Sequence, residues 1–213
     1  LCSKGGEYTP YYEEPHLLVN WQSVLKEMPC LGGARLFNLD CCFRGGLVYP
    51  MRTTSDLSPR PLPKNCAYTK GAQFFAGEDE DLSEAFLAIA YTRPFKALVE
   101  ATFGGGDVSV SGSAARNYTV GVLESVPVPS LSTDEIAKLQ TIARRAVGLV
   151  VERRQRDETS QWFNGPLKMG DGPSFQAIVE ADFNRWAANV LAMGAIALDA
   201  DRLASDAYGF VAD

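Results

Sequence analysis

FRGGLVYPMRTTSDLSPRPLPKNCAYTKGAQFF, residues Phe43 to Phe75, is the stretch that decides what kind of fold this chain makes. FRGGLVYP (Phe43–Pro50), NCAYT (Asn65–Thr69) and AQFF (Ala72–Phe75) each have strand length and are bounded by glycine, proline or other turn formers. Short apolar runs punctuated in this way read as strands rather than helices. Upstream, HLLVNW (His16–Trp21) and ARLFNL (Ala34–Leu39) continue the pattern, so the first third of the chain predicts a small, irregular sheet.

Beyond Phe75 the period changes. Leu82, Phe86, Ile89 and Ala90 recur at helical spacing, Thr92 is placed to cap a second helix, and Pro94 is tolerated in its first turn. A helical pair ending at the triplet Gly104–Gly106 follows. VSVSGS (Val108–Ser113) alternates apolar and polar residues, and YTVGVLESVPVPS (Tyr118–Ser130) reads as a strand leading into a proline-stiffened linker. Ser132 stands three residues before Glu135, the capping-box arrangement, and opens a helix expected to reach about Arg156. A third long helix is expected from about Phe175 to Met193, with Phe175, Val179, Phe183, Trp186, Val190 and Met193 on one stripe; Asp199 then caps a short helix ending at Gly209. The fold class is α+β: a small mixed sheet with helical insertions over residues 1–130, then a helical region over 131–213.

With 213 residues, 46% apolar and 22% charged, the chain can bury a core and is too rich in aromatics to be disordered. Its first residues fit no signal peptide, and no window is apolar enough for a membrane helix, so a cytoplasmic protein is expected. It begins at Leu1 and ends in YGFVAD, and is expected to be a piece of something longer. The five cysteines, at 2, 30, 41, 42 and 66, form no CxxC pair. With His16 as the sole imidazole they argue against zinc, and buried, reduced thiols are expected, with Cys41–Cys42 in the core.

The net charge of -6 conceals its distribution. Between Arg35 and Phe75 six cations face two anions, and GEDED (Gly77–Asp81) follows at once. A basic segment inside an acidic chain is compatible both with a one-sided binding face and with an ordinary solvated surface. Catalytic equipment is sparse. The clusters KGG, LGG, RGG and FGGG lack the spacing of a phosphate loop and read as turns. His16 reads as structural, and the carboxylates of GEDED as a helix start rather than a metal site. No metal is expected.

What remains suits binding. Phe43–Asn65 interleaves Arg44, Arg52, Arg60 and Lys64 with the hydroxyls of Thr53, Thr54 and Ser58, braced by Pro59, Pro61 and Pro63. Arginine reads guanine or phosphate with a forked geometry, and short hydroxyls reach phosphate oxygens. A stiff loop loses little entropy on binding.

KGGEYTPYYEEPHLLVNW (4–21), FRGGLVYPMRT (43–53), LPKNCAYTKGAQFF (62–75), LAIAYTRPFKALV (87–99), YTVGVLESVPVP (118–129) and DETSQWF (157–163) resemble, in order, blocks of the large adenine-specific DNA methyltransferases of phage-defence systems (BREX and phage growth limitation). VPVPSLSTDEIAKLQ is also similar to the proline-rich junction and helix of type I restriction specificity subunits. The resemblance implies the target-recognition region of a restriction-modification enzyme that binds double-stranded DNA. S-adenosylmethionine and catalysis would belong to an upstream methyltransferase domain, because the glycine-containing cofactor motif and the Asn-Pro-Pro-Tyr-like tetrapeptide are missing here. Other phage-defence proteins are possible partners, a membrane is not. The candidate DNA-binding residues are Arg44, Arg52, Thr53, Arg60, Lys64 and Lys70, then Arg116 and Asn117, with Lys4 and Tyr8 at the Gly5–Gly6 bend. Two rival functions stay open: a protein-interaction module without DNA contact, and a hydrolase using His16 or the acidic cluster.

Overall fold

The computed structural model describes residues 1–32, 38–76, 80–103, 115–166 and 174–210. In chain order the elements are β1 (Cys2–Ser3), α1 (Trp21–Glu27), β2 (Gly46–Pro50), β3 (Arg52–Thr53), β4 (Arg60–Leu62), β5 (Ala67–Tyr68), β6 (Ala72–Phe75), α2 (Glu80–Ile89), α3 (Arg93–Phe103), β7 (Arg116–Asn117), α4 (Val120–Glu124), α5 (Thr133–Arg154) and α6 (Phe175–Tyr208). The fold is α+β. It forms two compact units, Leu1–Ser83 with Ala97–Pro127, and Glu84–Lys96 with Val128–Asp213.

In the first unit β2 is the middle strand of an antiparallel sheet of order β4-β2-β6. Its LVYP residues are buried, and Val48 joins Leu62, Cys66 and Ala72 in a small core against which Tyr68 and Phe74 pack as a stacked pair, centroids 5.0 Å apart. β1 pairs in parallel with β5, and β3 antiparallel with β7.

Two apolar runs take other structures than their patterns predict. Of HLLVNW only Leu17 makes a strand contact, an isolated bridge to Cys2, while Asn20 accepts from the Ser23 amide (3.2 Å) and starts α1 at Trp21. A side-chain acceptor at the helix start satisfies an amide that a strand would leave waiting for a partner. In YTVGVLE, the Tyr118 amide still donates to the Met51 carbonyl (2.7 Å), but the Val122 and Leu123 amides then fold back onto the Thr119 carbonyl (3.1 and 3.2 Å) to make α4. Residues 34–37 of ARLFNL, the triplet 104–106, VSVSGS at 108–113 and residues 77–79 of GEDED lie outside the described residues.

The second unit is built on α5 and α6. Arg156 meets Asp182 (2.7 Å) and the Asn189 amide donates to the Leu149 carbonyl (2.9 Å), so the two helices run antiparallel. Buried Leu139, Ala143 and Ala146 of α5 and Ile196, Ala200 and Ala204 of α6 are the small and apolar residues that let them approach. The capping box forms as expected: the Glu135 amide donates to Ser132 Oγ (3.3 Å), and Glu135 Oε2 accepts from the Ser132 amide (2.7 Å). The Ser132 hydroxyl (2.6 Å) and the Ser132 amide, both donating to Glu135 Oε2, hold the Glu135 carboxyl below its ordinary pKa. Replacing Ser132 with alanine is expected to lower stability by about 1 kcal/mol in a urea titration.

α6 is one uninterrupted helix of 34 residues, not two separated at Gly194. An interior glycine costs only about 1 kcal/mol, and the face that packs on α5 continues past it through Ile196, Ala200 and Ala204. Gly209, left-handed at φ 70°, ends the helix where the sequence predicts. The first amide of α3 is capped from far along the chain. Arg93 donates its backbone N–H and its Nε to Asp201 (2.8 and 2.6 Å), whereas the buried Thr92 hydroxyl donates back to Ile89 (2.7 Å).

The cysteines are free thiols: Cys2 and Cys66 are buried, Cys30 is exposed, and Cys41 and Cys42 are half-buried on and beside a single 3-10 turn rather than in the core. Burial raises the thiol pKa of Cys2, Cys42 and Cys66. Among the described residues no helix is long and apolar enough to cross a membrane, and no group of three or more His, Cys, Asp or Glu is arranged to hold a metal ion.

Candidate nucleic-acid interface

The ten candidate residues separate into four places, all in the first unit. Arg52 and Thr53 form β3, Arg116 and Asn117 form β7, and the register sets Arg52 opposite Asn117 and Thr53 opposite Arg116. Directly opposed residues of an antiparallel pair project from the same face, so each of these couples is a side-chain neighbour pair.

The two faces have different fates. Thr53 Oγ1 accepts from the Ser55 amide (3.0 Å), and Arg116 donates to Glu100 (3.2 Å) beside Tyr118, whose hydroxyl donates to the Ser55 carbonyl (3.5 Å). Tyr118 is itself buried, edge-on to Phe103 (5.1 Å), and burial raises its pKa against the opposing effect of Arg116. Thr53 and Arg116 are thus occupied within the protein. Arg52 and Asn117 are exposed.

Backbone hydrogen bonds extend this pair into a row. The Tyr118 amide donates to the Met51 carbonyl (2.7 Å) and the Met51 amide to the Gly71 carbonyl (3.0 Å). The second bond carries the contact of β2 and β6 one residue past Pro50 and Ala72, and the Ala72 amide donates to the Thr69 carbonyl (2.8 Å), so Lys70 sits in the tight turn that leads into β6, next to Gly71. On the far side the Thr69 amide donates to the Ser3 carbonyl (3.0 Å), and Gly5 packs directly against Gly71, which brings Lys4 beside this edge. Lys4, Lys70, Arg52 and Asn117 therefore stand on four adjacent backbone segments drawn from the whole length of the unit. All four are exposed, and Lys4, Arg52 and Lys70 make no ion pair among the described residues.

Arg60 does not belong to the exposed set. Although it sits in the proline-braced loop that looked most like a binding surface, its side chain is 1% exposed. Its guanidinium donates to the Lys4 and Gly5 carbonyls (3.2 and 2.6 Å) and is paired with the Glu13 carboxylate. Strand alternation explains the inward turn, since Arg60 opposes Val48 in the β2–β4 ladder and shares its buried face. The loop thus supplies an internal clamp that holds the KGG bend.

Arg44 and Lys64 lie elsewhere again. Both are exposed, and Lys64 packs beside Gly45 at the start of β2, whereas Arg52 follows its end. β2, five residues and about 16 Å long, lies between Arg44 and Arg52. The basic segment is therefore not one face.

At the amino-terminal bend Gly6 is left-handed (φ 67°), Tyr8 is exposed and Tyr11 is buried with φ 66°. Tyr8 alone of these two tyrosines is available to a ligand. His16 is exposed with Nδ1 3.2 Å from the Glu14 carbonyl. The convergence of residues near 4, 52, 70 and 117 could not be read from the sequence, because strand pairings across such separations leave no local signal. No protein-family model matches this chain, and no curated protein matches it either.

Proposed function

We propose that the first unit is the target-recognition region of a site-specific adenine-N6 DNA methyltransferase of the phage-defence kind that the sequence resembles, working in the cytoplasm. The observation that carries this reading is the exposed row of Lys4, Lys70, Arg52 and Asn117. Two ammonium groups and a guanidinium meet phosphates, and a carboxamide standing beside the guanidinium is the group that reads adenine bidentately, as arginine reads guanine. Transfer of the methyl group from S-adenosylmethionine is assigned to another part of the parent enzyme.

The test is a salt titration of binding to duplex DNA. Each lost phosphate contact lowers the slope of log affinity against log salt by about 0.9, so a Lys4→Ala, Arg52→Ala, Lys70→Ala variant is expected to lose about 3 from it. Asn117→Ala is expected to keep the slope while relaxing sequence discrimination by about 1–3 kcal/mol at one base pair. No duplex binding at low salt, or an unchanged slope in the triple variant, would refute the reading. A protein-docking role has its own support, in the exposed Phe175, Leu191 and Leu198 of α6. Salt-insensitive partner binding by a chain that ignores DNA would favour it.

A further inference from the structure

The second unit carries a groove of about 470 Å³ between the carboxy-terminal end of α5 and the amino-terminal half of α6. That volume lies within the range of about 300–1,000 Å³ typical of small-molecule sites. One wall is aromatic: Phe183 and Trp186 stand at a tilt with ring centroids 5.7 Å apart, and both are exposed, at 61% and 49%. A phenylalanine and a tryptophan side by side, their rings inclined by 35°, present an aromatic surface that is largely open among the described residues.

The rim is charged and leans positive. Arg153, Arg156 and Arg185 line the groove with Glu152 and Asp182. Asp182 is already held by Arg156 (2.7 Å), with Arg185 at 4.0 Å, so the Asp182 carboxylate is largely neutralised from within. Arg153 is exposed and makes no ion pair among the described residues.

The floor supplies the third feature. Asn189 lines the groove, is 5% exposed, and donates its side-chain N–H to the Leu149 carbonyl (2.9 Å). That bond fixes the orientation of the amide, because the flipped form would set two oxygens against each other. Its Oδ1 is consequently a buried acceptor, and it has no partner among the described residues. A buried polar atom left unsatisfied is costly, and such atoms in a cleft mark places where a ligand donor fits.

We propose that this groove binds a nucleotide, with an amino-bearing base stacked on Trp186 and Phe183, the amino group donating to Asn189 Oδ1, and the phosphate met by Arg153 and Arg185. Each element answers one part of that ligand. Aromatic rings stack any base, an orphan acceptor selects a base with an N–H donor, and forked guanidiniums hold phosphate. The same chemistry comes from a free nucleotide or from an unpaired nucleotide of a single strand. The site stands on the second unit alone and does not depend on the duplex-binding row.

The test uses the whole chain carrying Lys4→Ala, Arg52→Ala and Lys70→Ala, so that the first unit contributes no cations from its row. Binding is measured by calorimetry to adenosine 5′-monophosphate, to purine riboside 5′-monophosphate, which lacks the amino group, and to an eight-residue oligodeoxyadenylate. The adenine nucleotide is expected to bind at least tenfold more tightly than its deamino analogue. Trp186→Ala, a change at an exposed position, is expected to weaken it at least tenfold without altering the circular dichroism spectrum. Asn189→Leu is expected to remove the preference between the two mononucleotides. Tighter binding of the oligonucleotide identifies an unpaired strand as the source, and equal or weaker binding a free nucleotide. The proposal is overturned if neither adenine ligand binds, if the two mononucleotides bind equally, or if Trp186→Ala changes nothing. Self-association that Trp186→Ala abolishes, with no nucleotide bound, would likewise overturn it and make the aromatic wall a protein contact.

Discussion

Replacing Arg60 with alanine is expected to destabilise the first unit by about 3 kcal/mol, seen as a lower urea midpoint with little change in slope. The arginine is buried, and it is shared by three acceptors: the Lys4 carbonyl, the Gly5 carbonyl and the Glu13 carboxylate. Truncation strands all three. Breaking a buried pair by removing one partner typically costs about 3–5 kcal/mol, and the lower end is expected here because Glu13 is 21% exposed and can regain water. All three of these contacts are made by Nη2, so Arg60→Lys, whose ammonium carries three donors, is expected to cost less than Arg60→Ala. Glu13→Gln keeps an acceptor and is expected to cost less. If Arg60→Ala were as stable as the parent while duplex binding fell, the residue would be a DNA contact after all and the clamp would be wrong.

The second large effect is expected at Gly5. A Cβ added there would overlap the carbonyl group of Gly71, which is backbone and cannot rotate away. That carbonyl already accepts from the Met51 amide (3.0 Å), so moving it weakens the link that carries the register from β6 to β3. Overpacking of this kind costs about 1–3 kcal/mol, and Gly5→Ala is expected in that range by thermal or urea unfolding. The control is Gly71→Ala, where the nearest atom to the new Cβ is the Gly5 amide nitrogen at 3.6 Å, an ordinary contact. Near-neutral behaviour of Gly71→Ala beside a damaged Gly5→Ala would confirm which glycine the close approach requires. Equal tolerance of both would mean that the two segments are not packed backbone to backbone. Because Lys4 precedes Gly5, the Gly5→Ala protein is also expected to bind duplex DNA more weakly than the Gly71→Ala protein.

These two residues mark the division between what is local and what is not. The strands around Val48 and Phe74, the capping box at Ser132, the long helices and the glycine stop at Gly209 are written within a few residues of where they act. Hydrophobic period, turn formers and caps operate over one or two turns of chain, and a single sequence displays them directly. HLLVNW and YTVGVLE were misleading for the same local reason: an apolar run states that it can pair, not that a partner strand exists.

The chain's own order of residues determined an α+β fold, the strand-rich beginning and helical end, and a set of cations in which any could have faced a ligand. Which of them is left exposed was decided only by tertiary pairing. Arg60 and Arg52 have the same chemistry and lie eight positions apart, yet one is sealed against Lys4, Gly5 and Glu13 while the other stands in the open beside Asn117. Side-chain direction in a strand depends on register with partners far along the chain. A shift of one residue exchanges inside for outside, and that register is a property of the assembled sheet rather than of any segment within it.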